Sequence, residues 1–506
     1  MQTKLSHTNY DYFENLNNEN IECPIDIEYS LPDYCPDIQK ILKCIPYVEL
    51  SAYSFTQDKF MCEGKLILHV EYMDEKNKSL RVCEIVKEYS SVKDVQPSSE
   101  KTFGKVNVST GHIVCRAVSA RKLDIHAPVK IELSLYTQKQ NSLGTDTENL
   151  EKMEENITVS DAVQIINHQF IIEQEIELSK SSMPIESILR KEINILNSKT
   201  NFTQDQLQIE GLAELSVVYR TFSDNFSTEK VNYSLPFNQV IDVIGADNDS
   251  IVNLKIDCFE LSVQGKEDNV GENTICQVYI KLNICAEVYN NKQLSLITDA
   301  YSTDLDCSIN YKNINLMSIY KTGSEKLNIV KNIFLAEDEV EKLYDYWCEE
   351  SQVASYCEKS RINYRGKFNV SIIYQGKSKQ LFSVTKTFDF SFTHEFKDIN
   401  QRKSDCSAKM IIKDFKIIDG NNIEFSCEAQ INYAEFVSFN KKVLWNVEVL
   451  KDDINTQEKA LKIYYSKKDE KLWDIGKIYH ISVEDLIENN SLTDNVLSVG
   501  GPLVIY

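Results

Sequence analysis

The chain has 506 residues, 42% of them hydrophobic and 26% charged, so at roughly 100 to 200 residues per domain it predicts about three to five domains, each able to bury a core. Its net charge of −22 repels a polyanion and excludes nucleic acid as a default partner. No run approaches the roughly 18 to 20 apolar residues of a membrane-spanning helix, and the polar start, Met1 to His7, predicts no secretory signal.

The first dense motif is Leu31-Pro32-Asp33-Tyr34-Cys35-Pro36-Asp37-Ile38. Pro36 suits the first turn of a helix and Asp33 or Asp37 its positive end, which predicts a helix start. An internal repeat follows. Phe55-Thr56-Gln57-Asp58 brings its Asp six residues before Gly64, and Phe202-Thr203-Gln204-Asp205 does the same before Gly211. Ile41-Leu42 and Ile188-Leu189 precede the two glycines at matching distances.

Each glycine lies in a strand with a period of two. Phe60, Cys62, Gly64, Leu66, Leu68, Val70 and Tyr72 form one inward set. Leu207, Ile209, Gly211, Ala213, Leu215, Val217 and Tyr219 form the second, and Ile362, Tyr364, Gly366, Phe368, Val370, Ile372 and Tyr374 the third. Gly64, Gly211 and Gly366, with Tyr72, Tyr219 and Tyr374, are read as structural, the glycines marking a bulge or a close backbone approach. His69 and His126 fall on the polar faces and predict surface positions.

A second alternating strand closes each copy, with Leu123 to Leu135, Cys276 to Val288 and Ile423 to Tyr433 as inward series. Such alternation favours antiparallel sheets packed as sandwiches. The polar run Asn141 to Asn156 reads as a linker or loop, and Glu337-Asp338-Glu339-Val340-Glu341 as a short acidic helix opening the third copy. The expected fold is mainly β: three repeated antiparallel sandwich-like domains with short helices, at 1–158, 159–320 and 321–455, followed by a small βααβ module at 458–506.

Catalysis finds no support. HExxH, GxSxG, Walker and GxGxxG patterns are missing, and the 7 histidines do not cluster with cysteines at metal-ligand spacing. The chain is expected to be no enzyme and to carry no cofactor or metal. Its 14 cysteines are scattered without a CxxC pair and read as buried small hydrophobes of a reducing compartment. Their even number keeps disulfides open only for an exported chain.

The last module begins with a strand, Leu461 to Tyr465, then the loop Ser466 to Lys471, then a helix in which Leu472, Ile475 and Tyr479 share one face. Ser482-Val483-Glu484-Asp485 has capping-box spacing before a second short helix, and Leu503 to Tyr506 closes the unit. With Leu472-Trp473, Ile475, Tyr479, Leu486, Asn490, Leu497, Gly500, Leu503 and Ile505, this segment resembles a LysM domain. Glycan-binding members of that family usually carry Gly-Asp-Thr before the Leu-Trp pair, where this chain has Asp469-Glu470-Lys471. The loop forms one wall of the family's sugar groove. The resemblance therefore implies a partner-binding groove made of Lys467, Lys468, Asp469, Glu470 and Lys471 opposite Asn490, Ser491 and Leu492, with Trp473 as support.

The Leu31 to Ile38 motif, the glycine strands and Asp299-Ala300-Tyr301-Ser302 resemble the SPOCS domains of clostridial spore envelope proteins. SPOCS repeats followed by a LysM resemble an adaptor of spore-coat assembly. That resemblance implies a mother-cell protein at the outer forespore membrane. Its implied partners are the polymerising coat ATPase, bound by the LysM, and other envelope proteins. Peptidoglycan is the alternative ligand.

Overall fold

The computed structural model describes residues 5–56, 58–95, 102–147, 150–222, 227–349, 352–358, 360–396, 401–451 and 461–505. Strands dominate, and the two helices among the described residues both lie in the C-terminal module.

The first domain contains β1 (Leu5–Cys23), β2 (Asp26–Ser30), β3 (Ile38–Phe55), β4 (Lys59–Asp74), β5 (Leu80–Asp94), β6 (Thr102–Thr110), β7 (Val114–Ser119), β8 (Lys122–His126) and β9 (Val129–Thr147). Sheet β3-β4-β5 packs on sheets β1-β9-β6 and β2-β8-β7. The second has β10 (Glu151–Glu177), β11 (Ile185–Thr203), β12 (Gln206–Thr221), β13 (Thr228–Asp242), β14 (Ile251–Lys266) and β15 (Ile275–Tyr301). There sheet β11-β12-β13 covers sheet β10-β15-β14. The third has β16 (Asp306–Phe334), β17 (Val340–Cys348), β18 (Gln352–Glu358), β19 (Arg361–Gly376), β20 (Leu381–Glu395), β21 (Gln401–Asp419) and β22 (Asn422–Lys451). Its β19 pairs with β17, β18 and β20, over sheet β16-β22-β21.

The inward sets read from the alternation are the cores. Leu66, Leu68 and Val70 meet Leu123, Ile125 and Ile131 in the first sandwich, and the other two repeat the arrangement. The three glycines have a shared reason. Gly64 faces Tyr89 across the strand pair, Gly211 faces Phe237 and Gly366 faces Phe390. At Gly211 and Gly366 the ring lies where a β-carbon would stand, whereas at Gly64 the Glu49 backbone carbonyl comes closest and the Tyr89 side chain next, so a side chain at any of the three meets an aromatic residue or the neighbouring backbone. Tyr72, Tyr219 and Tyr374 are all fully buried. The Tyr72 hydroxyl donates to the Pro36 carbonyl at 3.2 Å and that of Tyr219 to Glu229 at 2.8 Å.

Three local expectations fail. Residues 31–37 form a loop, because the Arg121 guanidinium collects its polar groups. It donates to the Pro32 carbonyl (2.8 Å), the Cys35 carbonyl (3.1 Å) and the Asp37 carboxylate (2.5 Å), which removes the drive to form helical hydrogen bonds. No helix opens the third domain either. Asp338 instead accepts from the backbone of Glu339 and Ser378, both at 2.8 Å, and the chain passes straight into β17. The polar stretch from Asn141 belongs mostly to strands β9 and β10, in which Leu143 is fully buried. Strands β10 and β16 run unbroken through residues 158/159 and 320/321.

The domains close into a ring. The last strand of each hairpin sheet touches the first strand of the next: β5 meets β11, the Thr228 hydroxyl of β13 donates to the Tyr344 carbonyl of β17 at 2.9 Å, and β20 returns to β3, where Lys43 donates to Thr385 at 3.0 Å. Two buried clusters combine all three domains. One contains Ile45, Met73, Leu189, Val218, Trp347 and Ile373. The other contains Tyr10, Leu143, Val159, Leu294, Ile314 and Val443.

Ring closure buries much of the second face of the hairpin sheets. His69, expected at the surface, is 2% exposed. Its Nδ1 donates to the Leu189 carbonyl of the second domain at 2.9 Å, and its Nε2 lies 2.8 Å from Glu84. His126 does stay exposed, beside Asp26. Between the second and third domains a buried bidentate pair forms, with Arg190 Nε 2.6 Å and Nη2 3.1 Å from the Asp345 carboxylate. All 14 cysteines are free thiols; Cys357 is exposed and the others are buried or half-buried.

Candidate functional site

The C-terminal module is built from β23 (Lys462–Tyr465), α1 (Leu472–Tyr479), α2 (Val483–Asn490) and β24 (Pro502–Ile505). β23 and β24 pair antiparallel, Lys462 opposite Ile505 and Tyr465 opposite Pro502. Leu472, Ile475, Leu486, Leu497, Leu503 and Ile505 form its buried core. The Ser482 hydroxyl caps α2 by accepting from the Asp485 backbone at 3.0 Å, as the capping spacing predicts. α1 ends at His480 in the left-handed conformation, φ 55°, its N–H returning to the Gly476 carbonyl.

The structure sorts the expected groove residues into two groups. Asn490 is a structural clip: its Nδ2 donates to the Leu486 and Val504 carbonyls at 3.0 and 2.9 Å, and its Oδ1 accepts from the Val504 N–H at 2.6 Å. Glu470 turns inward, accepting from the Tyr464 hydroxyl at 2.6 Å and the Lys467 N–H at 2.7 Å. The Tyr464 bond, then the Lys467 N–H, lowers its pKa. Leu492 packs against the module's core. Lys467, Lys468, Asp469, Lys471 and Ser491 are exposed.

The loop conformation follows from its hydrogen bonds. Asp469 adopts the left-handed region at φ 65°. Its N–H donates to the Leu497 carbonyl at 2.8 Å, and the Leu497 N–H donates to the Glu470 carbonyl at 2.9 Å. The loop is thereby fastened to residues 495–497, and its lysines are exposed. Ser491, also left-handed at φ 50°, closes α2.

Trp473 also reaches out of the module to the second domain. Its Nε1 donates to Asp299 Oδ2 at 2.8 Å, and its ring meets Tyr301 edge-on at 4.9 Å and 71°. Lys477, one turn further along α1, pairs with the other Asp299 oxygen, which also accepts from the Tyr311 hydroxyl. The Tyr301 hydroxyl donates to the Ile481 carbonyl at 2.8 Å, and His480 Nδ1 donates to the Ser302 carbonyl at 2.9 Å. Gly476 gives Tyr301 its space, since a β-carbon there would lie 2.5 Å from the Tyr301 oxygen. One face of α1 therefore sits on the end of β15, beside the face that fills the module's own core.

Electrostatics favour this seat. Burial alone raises the pKa of Asp299, but the donors from Lys477, Tyr311 and Trp473 outweigh it and hold the carboxyl below its ordinary value. Burial pushes the Tyr301 and Tyr311 phenols up, so both remain donors. The Asp299 to Ser302 motif was visible in the sequence, without any sign that it receives the module. The available signal was the polar and aromatic stripe Trp473, Lys477, His480, spaced as one side of a helix.

Three ring-forming β-sandwiches with a fixed βααβ head define a multidomain β protein that presents a small binding module. Residues 184–264, which span β11 to β14, match the family model described as SipL, SPOCS domain, and residues 467–505 match the LysM domain model. The chain thus carries a SPOCS domain in its second repeat and a LysM domain as its head, as expected of a protein resembling the spore-coat adaptors. No curated protein and no solved structure matches it. Among the described residues, no helix is long and apolar enough to cross a membrane.

Proposed function

We propose that this protein is a non-enzymatic adaptor of the spore envelope, which links the coat's basement-layer ATPase to the forespore surface from the mother-cell side, with the LysM as docking head. The SPOCS match makes it sporulation-associated, and LysM is a domain type of peptidoglycan binding. The observation that carries the protein-docking reading is the loop Lys467 to Lys471. In place of Gly-Asp-Thr it holds Asp469-Glu470-Lys471, with Glu470 tied to Tyr464 and three lysines facing solvent. A charged rim of this kind governs encounter rate and specificity in a protein interface.

A second reading, peptidoglycan binding, rests on the LysM match itself. The two separate in one experiment. Full-length protein is incubated with the purified coat ATPase and, separately, with purified peptidoglycan. Capture by the ATPase, weakened in Lys468→Glu/Lys471→Glu, supports the adaptor. Capture by peptidoglycan alone overturns it. Retained ATPase capture in the double variant moves the contact away from this loop.

A further inference from the structure

The three domains line an open cleft with a cavity volume of about 1180 Å³ at their junction. One wall is a continuous stretch of β3, Ile41 to Val48, while Arg190 to Glu192 of the second domain and Trp347 to Glu349 of the third supply others. β3 is an edge strand, paired with β4 on one side only. The second domain covers its later half: Glu49 accepts from the Leu261 N–H at 3.1 Å, and the Ser51 carbonyl accepts from Lys281 at 2.9 Å. Residues 41–48 make no backbone pairing with a second strand among the described residues, although Lys43 reaches Thr385 of β20. Pro46 lies within this stretch, as an edge strand allows, and withholds one N–H from a partner strand, whose remaining bonds must come from the residues on either side.

The charge of the lining is opposite to that of the molecule. Lys43, Arg190, Lys191 and Lys367 face the cavity against Glu192 and Glu349, in a chain of net charge −22. Lys43 is paired with Glu349, and Arg190 with Asp345 and Glu192. Lys191 is 6% exposed and forms no ion pair among the described residues, its ammonium lying 5.4 Å from the Tyr47 ring centre. Burial lowers its pKa although Glu84 and Glu49 pull the other way. A buried cation of this kind is stabilised by an incoming carboxylate. The space also exceeds the roughly 300 to 1,000 Å³ usual for small-molecule sites.

We propose that this cavity is a docking slot for an extended acidic segment of a partner protein, which adds a strand to the backbone-unpaired edge of β3 at residues 41–48 and sets its carboxylates against Lys191 and Lys367. Strand addition draws affinity from main-chain hydrogen bonds and specificity from alternate side chains. The slot is separate from the LysM head, so one partner at each site is compatible with an adaptor.

The test uses the full-length chain and a fluorescein-labelled hexapeptide of alternating Glu and Val, followed by fluorescence anisotropy and by amide exchange. Saturable 1:1 binding is expected, with slowed exchange at residues 41–48 and affinity at least tenfold weaker in Lys191→Gln and in Lys367→Glu. Lys367 is exposed, so its variant keeps the fold. No binding, equal binding of an alternating Lys and Val hexapeptide, protection confined to other strands, or unchanged affinity in Lys367→Glu overturns the proposal. Lys468→Glu/Lys471→Glu leaves this binding unchanged, which separates it from the head's function.

Discussion

The Trp473 indole donates to the Asp299 carboxylate at 2.8 Å, across 174 residues of sequence, and this bond fixes the orientation of the head on the second domain. A hydrogen bond to a charged group contributes roughly 1.5–3 kcal/mol, and Asp299 accepts three such bonds, partly shielded from water. Asp299→Ala is therefore expected to release the head without unfolding it. Amide exchange in α1 then rises at the docked face, while the exchange of β23 and β24 stays unchanged. Concerted loss of protection throughout 461–505 would show instead that the head depends on its seat to fold.

The glycine and aromatic pairs predict a steric effect confined to one sandwich. Gly211→Val drives a side chain into the Phe237 ring, and overpacking of this kind costs about 1–3 kcal/mol. Chemical denaturation is expected to show an earlier transition, which the double variant Gly211→Val/Phe237→Ala partly restores by vacating the ring's space. Failure of that rescue would place the strain elsewhere.

Glu71 makes stability depend on pH. It is fully buried between domains with neither carboxyl oxygen hydrogen-bonded, and burial pushes its pKa up to about 8, with Asp345 adding to the shift and Arg190 and Lys43 opposing it. In the unfolded chain the group titrates near 4.5. Between these values the unfolded chain has lost the proton and the folded protein keeps it, so stability falls as pH rises from about 4.5 to about 8 and then levels off. Glu71→Gln is expected to raise the melting temperature at pH 8 and to change it little at pH 4.5. Equal shifts at both pH values would contradict the ionisation argument.

The Arg190–Asp345 pair predicts asymmetric costs. Asp345→Ala leaves a buried guanidinium with only Glu192, and unpairing a buried charge costs about 3–5 kcal/mol. Arg190→Met/Asp345→Leu removes both charges and is expected to recover most of that loss in a urea titration. A double variant no more stable than Asp345→Ala would assign the cost to packing.

Local periodicity was enough to place the strands that form each core, because a half-buried strand writes its two environments into alternate residues. The inward sets around Gly64, Gly211 and Gly366 were legible for that reason, as was the LysM core of Leu472, Ile475 and Leu486. The Arg121 clamp was not, since nothing near residue 31 reveals a guanidinium arriving from position 121. His69 was misplaced by the same limit: alternation assigns it to the second face of a sheet, and only ring closure decides whether that face meets water or Leu189. Trp473 shows the division most clearly. Its place on the first turn of α1 followed from the sequence, while its partner, Asp299, was decided by tertiary structure, because packing brings together side chains whose separation along the chain carries no periodic signal.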